Sequence, residues 1–112
     1  MGKDKAELLQ GTLDLLVLKT VETLGPLHGW AIAKRIEQVA EDLLELKYGT
    51  LYPALMRLEL NGWISSEWGT SENNRRARFY SITRQGRKQL TREAENWEQM
   101  AAFIARVLGG TR

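Results

Sequence analysis

A chain of 112 residues with 43% hydrophobic content has room for one domain with a modest core, and not for two. Without cysteine and with a single histidine it cannot form a disulfide, a thiolate metal site, a cysteine nucleophile or a two-histidine zinc motif. No run of about 18 uncharged apolar residues occurs, and Lys3, Asp4, Lys5 and Glu7 interrupt the amino terminus, so neither a membrane span nor a secretory signal is expected and the expected compartment is the cytoplasm.

The formal net charge of +2 conceals an uneven distribution. From Lys47 to Arg92 there are nine Lys and Arg against three Asp and Glu, a balance of +6, whereas the rest of the chain carries seven against eleven, a balance of −4. Such asymmetry is the electrostatic footprint of a phosphate-binding surface, although a basic face can equally be no more than a solvated one.

Residues 8–24, LLQGTLDLLVLKTVETL, read as a first helix with Leu9, Leu13, Leu16, Val17, Val21 and Leu24 on one face. Leu15 and Leu18 add apolar surface off that face. Either a partner subunit covers them or they pack under the carboxy-terminal helix of the same chain. Gly25-Pro26 breaks the pattern, and a second helix restarts near Gly29 with Ile32, Ile36 and Val39 toward the core and Lys34 and Arg35 off that stripe. His28 has no identifiable nucleophile or carboxylate partner for catalysis and reads as a hydrogen-bonded turn residue ahead of that helix. Glu41, Asp42 and Glu45 in the connection over 40–48 should face solvent.

The stretch Lys47 to Gly62, KYGTLYPALMRLELNG, organises the rest. Leu51, Leu55, Leu58 and, less centrally, Leu60 make an apolar stripe; Thr50, Ala54, Arg57 and Asn61 are expected opposite it, with Tyr52 and Met56 on its flank. Gly49 and Thr50 serve as entry and cap, Pro53 is tolerable only near the first turn, and Asn61-Gly62 supplies a left-handed stop. Helix, connection and helix follow in the order of a helix-turn-helix unit.

WISSEWGTSENNRRARFYSIT then reads as a hairpin, Trp63-Ile64 and Trp68 pairing with Phe79, Tyr80 and Ile82 around a mobile tip over Gly69 to Asn74. Arg75, Arg76 and Arg78 open the return strand, where arginines either reach phosphates or an adjacent minor groove, or protect a sheet edge by charge. From Thr83, a capping residue, one long helix runs to Gly109-Gly110. Leu90, Ala94, Trp97, Ala101, Ile104 and Leu108 recur in steps of four and three, and Met100, Phe103 and Val107 widen the stripe beyond what a small unit buries, so this helix is expected to dimerise. Trp97 is then an interface anchor or, with Met100 and Ala101 beside it, the wall of a pocket for flat aromatic ligands.

The expected fold is mainly α (α+β): a winged helix-turn-helix over residues 1–83 and a long C-terminal dimerisation helix over residues 84–112, in one compact unit. The DNA-facing set read from the residues is Lys34, Arg35, Lys47, Thr50, Tyr52, Arg57, Arg75, Arg76 and Arg78; the dimer set is Leu15, Leu18, Leu90, Ala94, Trp97, Ala101, Ile104 and Leu108. No paired carboxylate with a nucleophile, glycine-rich phosphate loop or metal-ligand spacing is present, so neither enzyme activity nor a cofactor is expected. A rival reading is a winged-helix module that docks an acidic protein and never meets DNA.

The segments GTLDLLVLKTVETLGPLHGWAIAKRI, GTLYPALMRLELNGWISSEW and RRARFYSITRQGRKQL resemble, in order and spacing, the PadR family of transcriptional regulators. The GTLYPAL…RLE…GW run is the most specific part. That resemblance implies a homodimeric winged helix-turn-helix repressor on a pseudo-palindromic operator of double-stranded DNA, with Thr50, Tyr52, Pro53 and Arg57 on the recognition helix. With one helix after the wing the chain is similar to the short branch, some members of which bind planar aromatic drugs through a tryptophan of the last helix, the place Trp97 occupies. Trp30 stands where the family more often has tyrosine.

Overall fold

Among the described residues, apolar spacing of three and four closes into four helices: α1 over Gly2–Leu24, α2 over Gly29–Ala40, α3 over Tyr48–Leu60 and α4 over Arg84–Val107. The strands β1 (Leu27–His28), β2 (Ile64–Thr70) and β3 (Arg76–Ile82) form one antiparallel sheet of order β1-β3-β2. The computed structural model describes residues 2–41 and 45–109, with side chains from Thr12 onward. Asp42, Gly110 and the side chain of Leu9 lie outside what is described.

The core gathers Leu13, Val17, Leu18 and Val21 of α1, Ile32 and Ile36 of α2, Leu46, the Leu51, Leu55 and Leu58 stripe of α3, and Ile64 and Tyr80 of the sheet. Fully burying each large aliphatic chain contributes about 1.5–3 kcal/mol. Because α2, α3, β3 and α4 all pack on α1, its buried arc is wider than one helical stripe. Leu18, expected at a subunit interface, is therefore fully buried within its own chain. Leu90, expected there as well, packs against the same core. Ala54 is buried rather than opposite the α3 stripe, whereas Leu60 and Val39, expected on the core side, are 84% and 67% exposed.

Several junctions fix how α3 sits. α2 is capped by His28, whose Nδ1 accepts the Ala31 amide at 3.2 Å, the hydrogen-bonded role expected of it. α3 begins at Tyr48, two residues before Thr50, with Lys47 at the N-cap and its carbonyl accepting the amides of Thr50 and Leu51. Pro53 consequently falls in the second turn, where its missing amide leaves the Gly49 carbonyl without a helical donor. The helix stops at Gly62 (φ 78°): the Gly62 amide bonds the Glu59 carbonyl and the Trp63 amide bonds the Leu58 carbonyl, a Schellman closure. Asn61, expected to share the left-handed stop, keeps right-handed geometry.

Thr83 ties this turn to α4. Its hydroxyl donates to the Gly62 carbonyl at 2.6 Å and accepts the Gly86 amide at 3.0 Å. Gly86 has no room for a side chain, since a Cβ there would lie 2.0 Å from the Trp63 carbonyl oxygen.

In the hairpin Ile64 faces Ile82 as expected, but Trp68 faces Arg78, and β2 runs through Gly69 and Thr70. The tip narrows to Ser71–Arg75, closed by the Ser71 amide on the Arg75 carbonyl and by Asn74 in left-handed geometry. β1, with only two residues, pairs Leu27 with Tyr80 and His28 with Phe79, and so bolts the start of α2 to the hairpin.

Candidate nucleic-acid interface

Three elements converge on the exposed side of α3. Along that helix, at about 100° per residue, Gly49, Pro53, Met56 and Leu60 make one outward strip, with Tyr48 and Tyr52 on the flank toward α2 and the hairpin. The tyrosine rings lie 5.1 Å apart, and burial, then the neighbouring Tyr52 and Glu37, push the Tyr48 hydroxyl above its ordinary pKa. Gly29 admits the Tyr52 phenol: a Cβ there would come within 3.1 Å of the hydroxyl. The His-Gly pair and the Leu-Tyr-Pro run, far apart in sequence, thus meet.

On the α2 side a cleft of about 400 Å³ is lined by Trp30, Lys34, Lys47 and Tyr48 among others. Lys34 Nζ sits 5.6 Å from the Trp30 ring, a cation–π contact that aims an exposed ammonium along the helix. The Glu37 carboxylate accepts the Leu46 amide at 2.7 Å and so fixes the connection carrying Lys47. Glu41 and Glu45, also in that connection, are exposed as expected.

On the hairpin side a second cleft, of about 340 Å³, is lined by His28, Trp30, Tyr52, Trp68, Arg76 and Arg78 with their neighbours. Arg76 and Arg78 hold their guanidinium groups 4.9 and 5.3 Å from the Trp68 ring. Arg78 also donates to Ser66 Oγ at 2.8 Å, Ser66 donates to Glu59 at 2.7 Å, and Arg78 lies 3.7 Å from Glu59, so the hairpin is latched to α3. Glu72 at the tip faces His28 Nε2 at 3.6 Å. A bond to its own backbone amide, then the His28 side chain, hold the Glu72 carboxyl below the usual range. Tyr80, beneath the cleft, is raised by burial against the opposing effect of Arg78.

Of the ten residues expected here, Lys34, Lys47, Tyr52, Pro53, Arg76 and Arg78 come together around the strip, with Arg75 at the adjoining tip. Three do not. Arg57 is turned to α1, where its guanidinium pairs with Asp14 at 2.5 Å. Thr50 is half-buried on that same side. Arg35 is exposed one residue on from Lys34, about 100° around α2 and away from the cleft. Among the described residues Lys34, Lys47, Arg75 and Arg76 make no ion pair, leaving a cationic rim around an uncharged strip, with Glu37 and Glu45 also lining the cleft on the α2 side.

The DNA-facing set read from the sequence left out Trp30, Tyr48 and Trp68. The i, i+4 spacings Trp30–Lys34 and Tyr48–Tyr52 were signals for the first two; Trp68 needed the strand register that sets it opposite Arg78.

Beyond Ala94, α4 leaves the domain: Trp97, Met100, Ala101, Phe103, Ile104, Val107 and Leu108 are all exposed, Leu15 and Ala94 only half-buried. No described helix is long and apolar enough to cross a membrane.

The family model described as "Transcriptional regulator PadR-like family" matches residues 17–92. The chain is similar to a transcriptional regulator from Clostridium thermocellum, 33% identical with a TM-score of 0.80 over 89% of this chain and 96% of that one. It is also similar to a PadR family transcription regulator from Clostridium difficile, 30% identical with a TM-score of 0.71 over 85% and 96%. An uncharacterized protein from Lysinibacillus sphaericus is 23% identical over 100 residues, 89% of this chain and 91% of that protein.

Proposed function

The chain belongs to the PadR-like family of transcriptional regulators, and from that premise we propose that it is a homodimeric, sequence-specific DNA-binding repressor whose grip on its operator is released by a small planar aromatic effector. The observation that carries the DNA reading is the unpaired rim of Lys34, Lys47, Arg75 and Arg76 on both sides of the α3 strip. Cations that have no anionic partner within the chain release counterions when they meet phosphates, which supplies affinity and fixes register without reading sequence.

Dimerisation rests on the apolar face of α4 past Ala94, which no element of its own chain covers among the described residues. A second copy seated there brings Trp97, Ala101, Ile104 and Leu108 of two chains together, with Leu15 and Ala94 at the margin, and sets two α3 helices one helical turn of DNA apart, about 34 Å. Trp97 and Met100, 48% and 51% exposed, then flank the two-fold axis, the place for a flat aromatic effector.

Mobility shift against fragments of the source genome, including the region upstream of its own gene, tests the DNA reading. Retention of a discrete fragment over bulk DNA supports it. Retention of none, with an acidic protein bound through the same rim, replaces it with the interaction-module reading. For the effector, quenching of fluorescence by planar aromatic dyes that vanishes in Trp97→Ala while the dimer persists is the expected result.

A further inference from the structure

The strip of α3 that the cationic rim surrounds is itself free of charge. Gly49, Pro53, Met56 and Leu60 are exposed along it, Met56 to 64%. Both ionic side chains of α3 are engaged elsewhere: Arg57 on Asp14 of α1, Glu59 on Ser66 and Arg78 of the hairpin. The Tyr52 hydroxyl is drawn back against Gly29 at the start of α2, and Thr50 is half-buried toward α1. A helix in the major groove ordinarily reads bases through charged or amide side chains that form paired hydrogen bonds with guanine or adenine, and this strip offers none. The one apolar feature that a base edge presents in that groove is the 5-methyl group of thymine.

We propose that α3 selects its site by apolar contact with thymine 5-methyl groups, with Met56 and Pro53 as the specificity-determining residues. The proposal rests on the DNA-binding reading above and deepens it. Phosphate contacts from the rim place the strip in the groove, and its flexible thioether and rigid pyrrolidine fit around a methyl rather than a hydrogen-bonding edge. Removing one buried methyl costs about 0.8 kcal/mol, or roughly fourfold in affinity, and one in each half-site of a two-fold operator roughly fifteenfold.

The test compares the genomic fragment that the full-length protein retains with the same fragment carrying deoxyuridine in place of every thymidine, which removes the methyl and keeps the pairing. The expected result is binding tenfold or more weaker for the deoxyuridine fragment, with an unrelated duplex unaffected by the same exchange. Met56→Ala should narrow the difference between the two fragments, and Met56→Leu should keep it. Equal affinity of the wild type for both fragments overturns the proposal, as does an undiminished difference in both Met56→Ala and Pro53→Ala, which would assign the effect to duplex shape. A change of oligomeric state in Met56→Ala would mark the strip as a contact between copies and overturn it too. Failure to bind any genomic fragment is a separate outcome: it removes the DNA-binding reading and this inference with it.

Discussion

Replacing Arg75 and Arg76 together by alanine should change the salt dependence of DNA binding more than any other property. Both side chains are exposed, and neither has an ion-pair partner among the described residues. With Lys34 and Lys47 they make four rim cations without an ion pair per subunit, and eight on the proposed two-fold pair. Each neutralised phosphate contributes about −0.9 to the slope of log affinity against log salt, so the wild type should show a slope of about −7 and the double variant about −4. Between 50 and 200 mM salt the first slope weakens binding roughly 10⁴-fold and the second roughly 10²-fold. Fluorescence anisotropy of a labelled operator fragment across that range reads both. Arg78→Ala is the contrast: its guanidinium is bound to Ser66 and faces Glu59, so its loss should unlatch the hairpin and lower affinity while leaving the slope near the wild-type value. A double variant with an unaltered slope would refute the assignment of phosphate contacts to the hairpin tip.

Arg57→Ala should weaken operator binding less than threefold and cost about 0–1 kcal/mol of stability, because the side chain spends its charge on Asp14; competition binding and thermal melting check the two parts. Gly86→Ala, which drives a methyl into the Trp63 carbonyl, should cost about 1–3 kcal/mol and lower the melting temperature by roughly 4–8 °C per kcal/mol. Ile104→Glu should convert the proposed dimer to monomer in sedimentation velocity without lowering helix content, since the side chain is 43% exposed within one chain; a persisting dimer would move the interface off α4, and a monomeric wild type would remove it.

The helical frame was legible because apolar residues three and four apart leave little choice of face. The Leu51, Leu55 and Leu58 stripe, the Thr83 cap and the Gly62 stop all appear where their chemistry placed them. Alanine carries no such signal: Ala54 is small enough for either face, and only the packing of α3 on α1 and α2 decides that it is buried. Leu18 was misplaced because a period of 3.6 describes a helix packed from one direction, and α1 is packed from several. β1 could not be read at all, since two residues define no alternation and its pairing depends on the distant Phe79 and Tyr80.

In the candidate interface the residue types were readable and their availability was not. Arg57 and Arg78 looked equivalent to Arg75 and Arg76 in sequence, yet their partners Asp14 and Ser66 stand 43 and 12 positions away. Such pairing is a property of the fold, and it decides which charges remain to meet a polyanion.

A hydroxyl-radical footprint of the purified protein on its retained genomic fragment tests the central claim most directly. Two protected patches on one face of the duplex, centred about one helical turn apart, are the predicted result. A single patch, or uniform protection along the fragment, would contradict the picture of two α3 helices set in register by a paired α4.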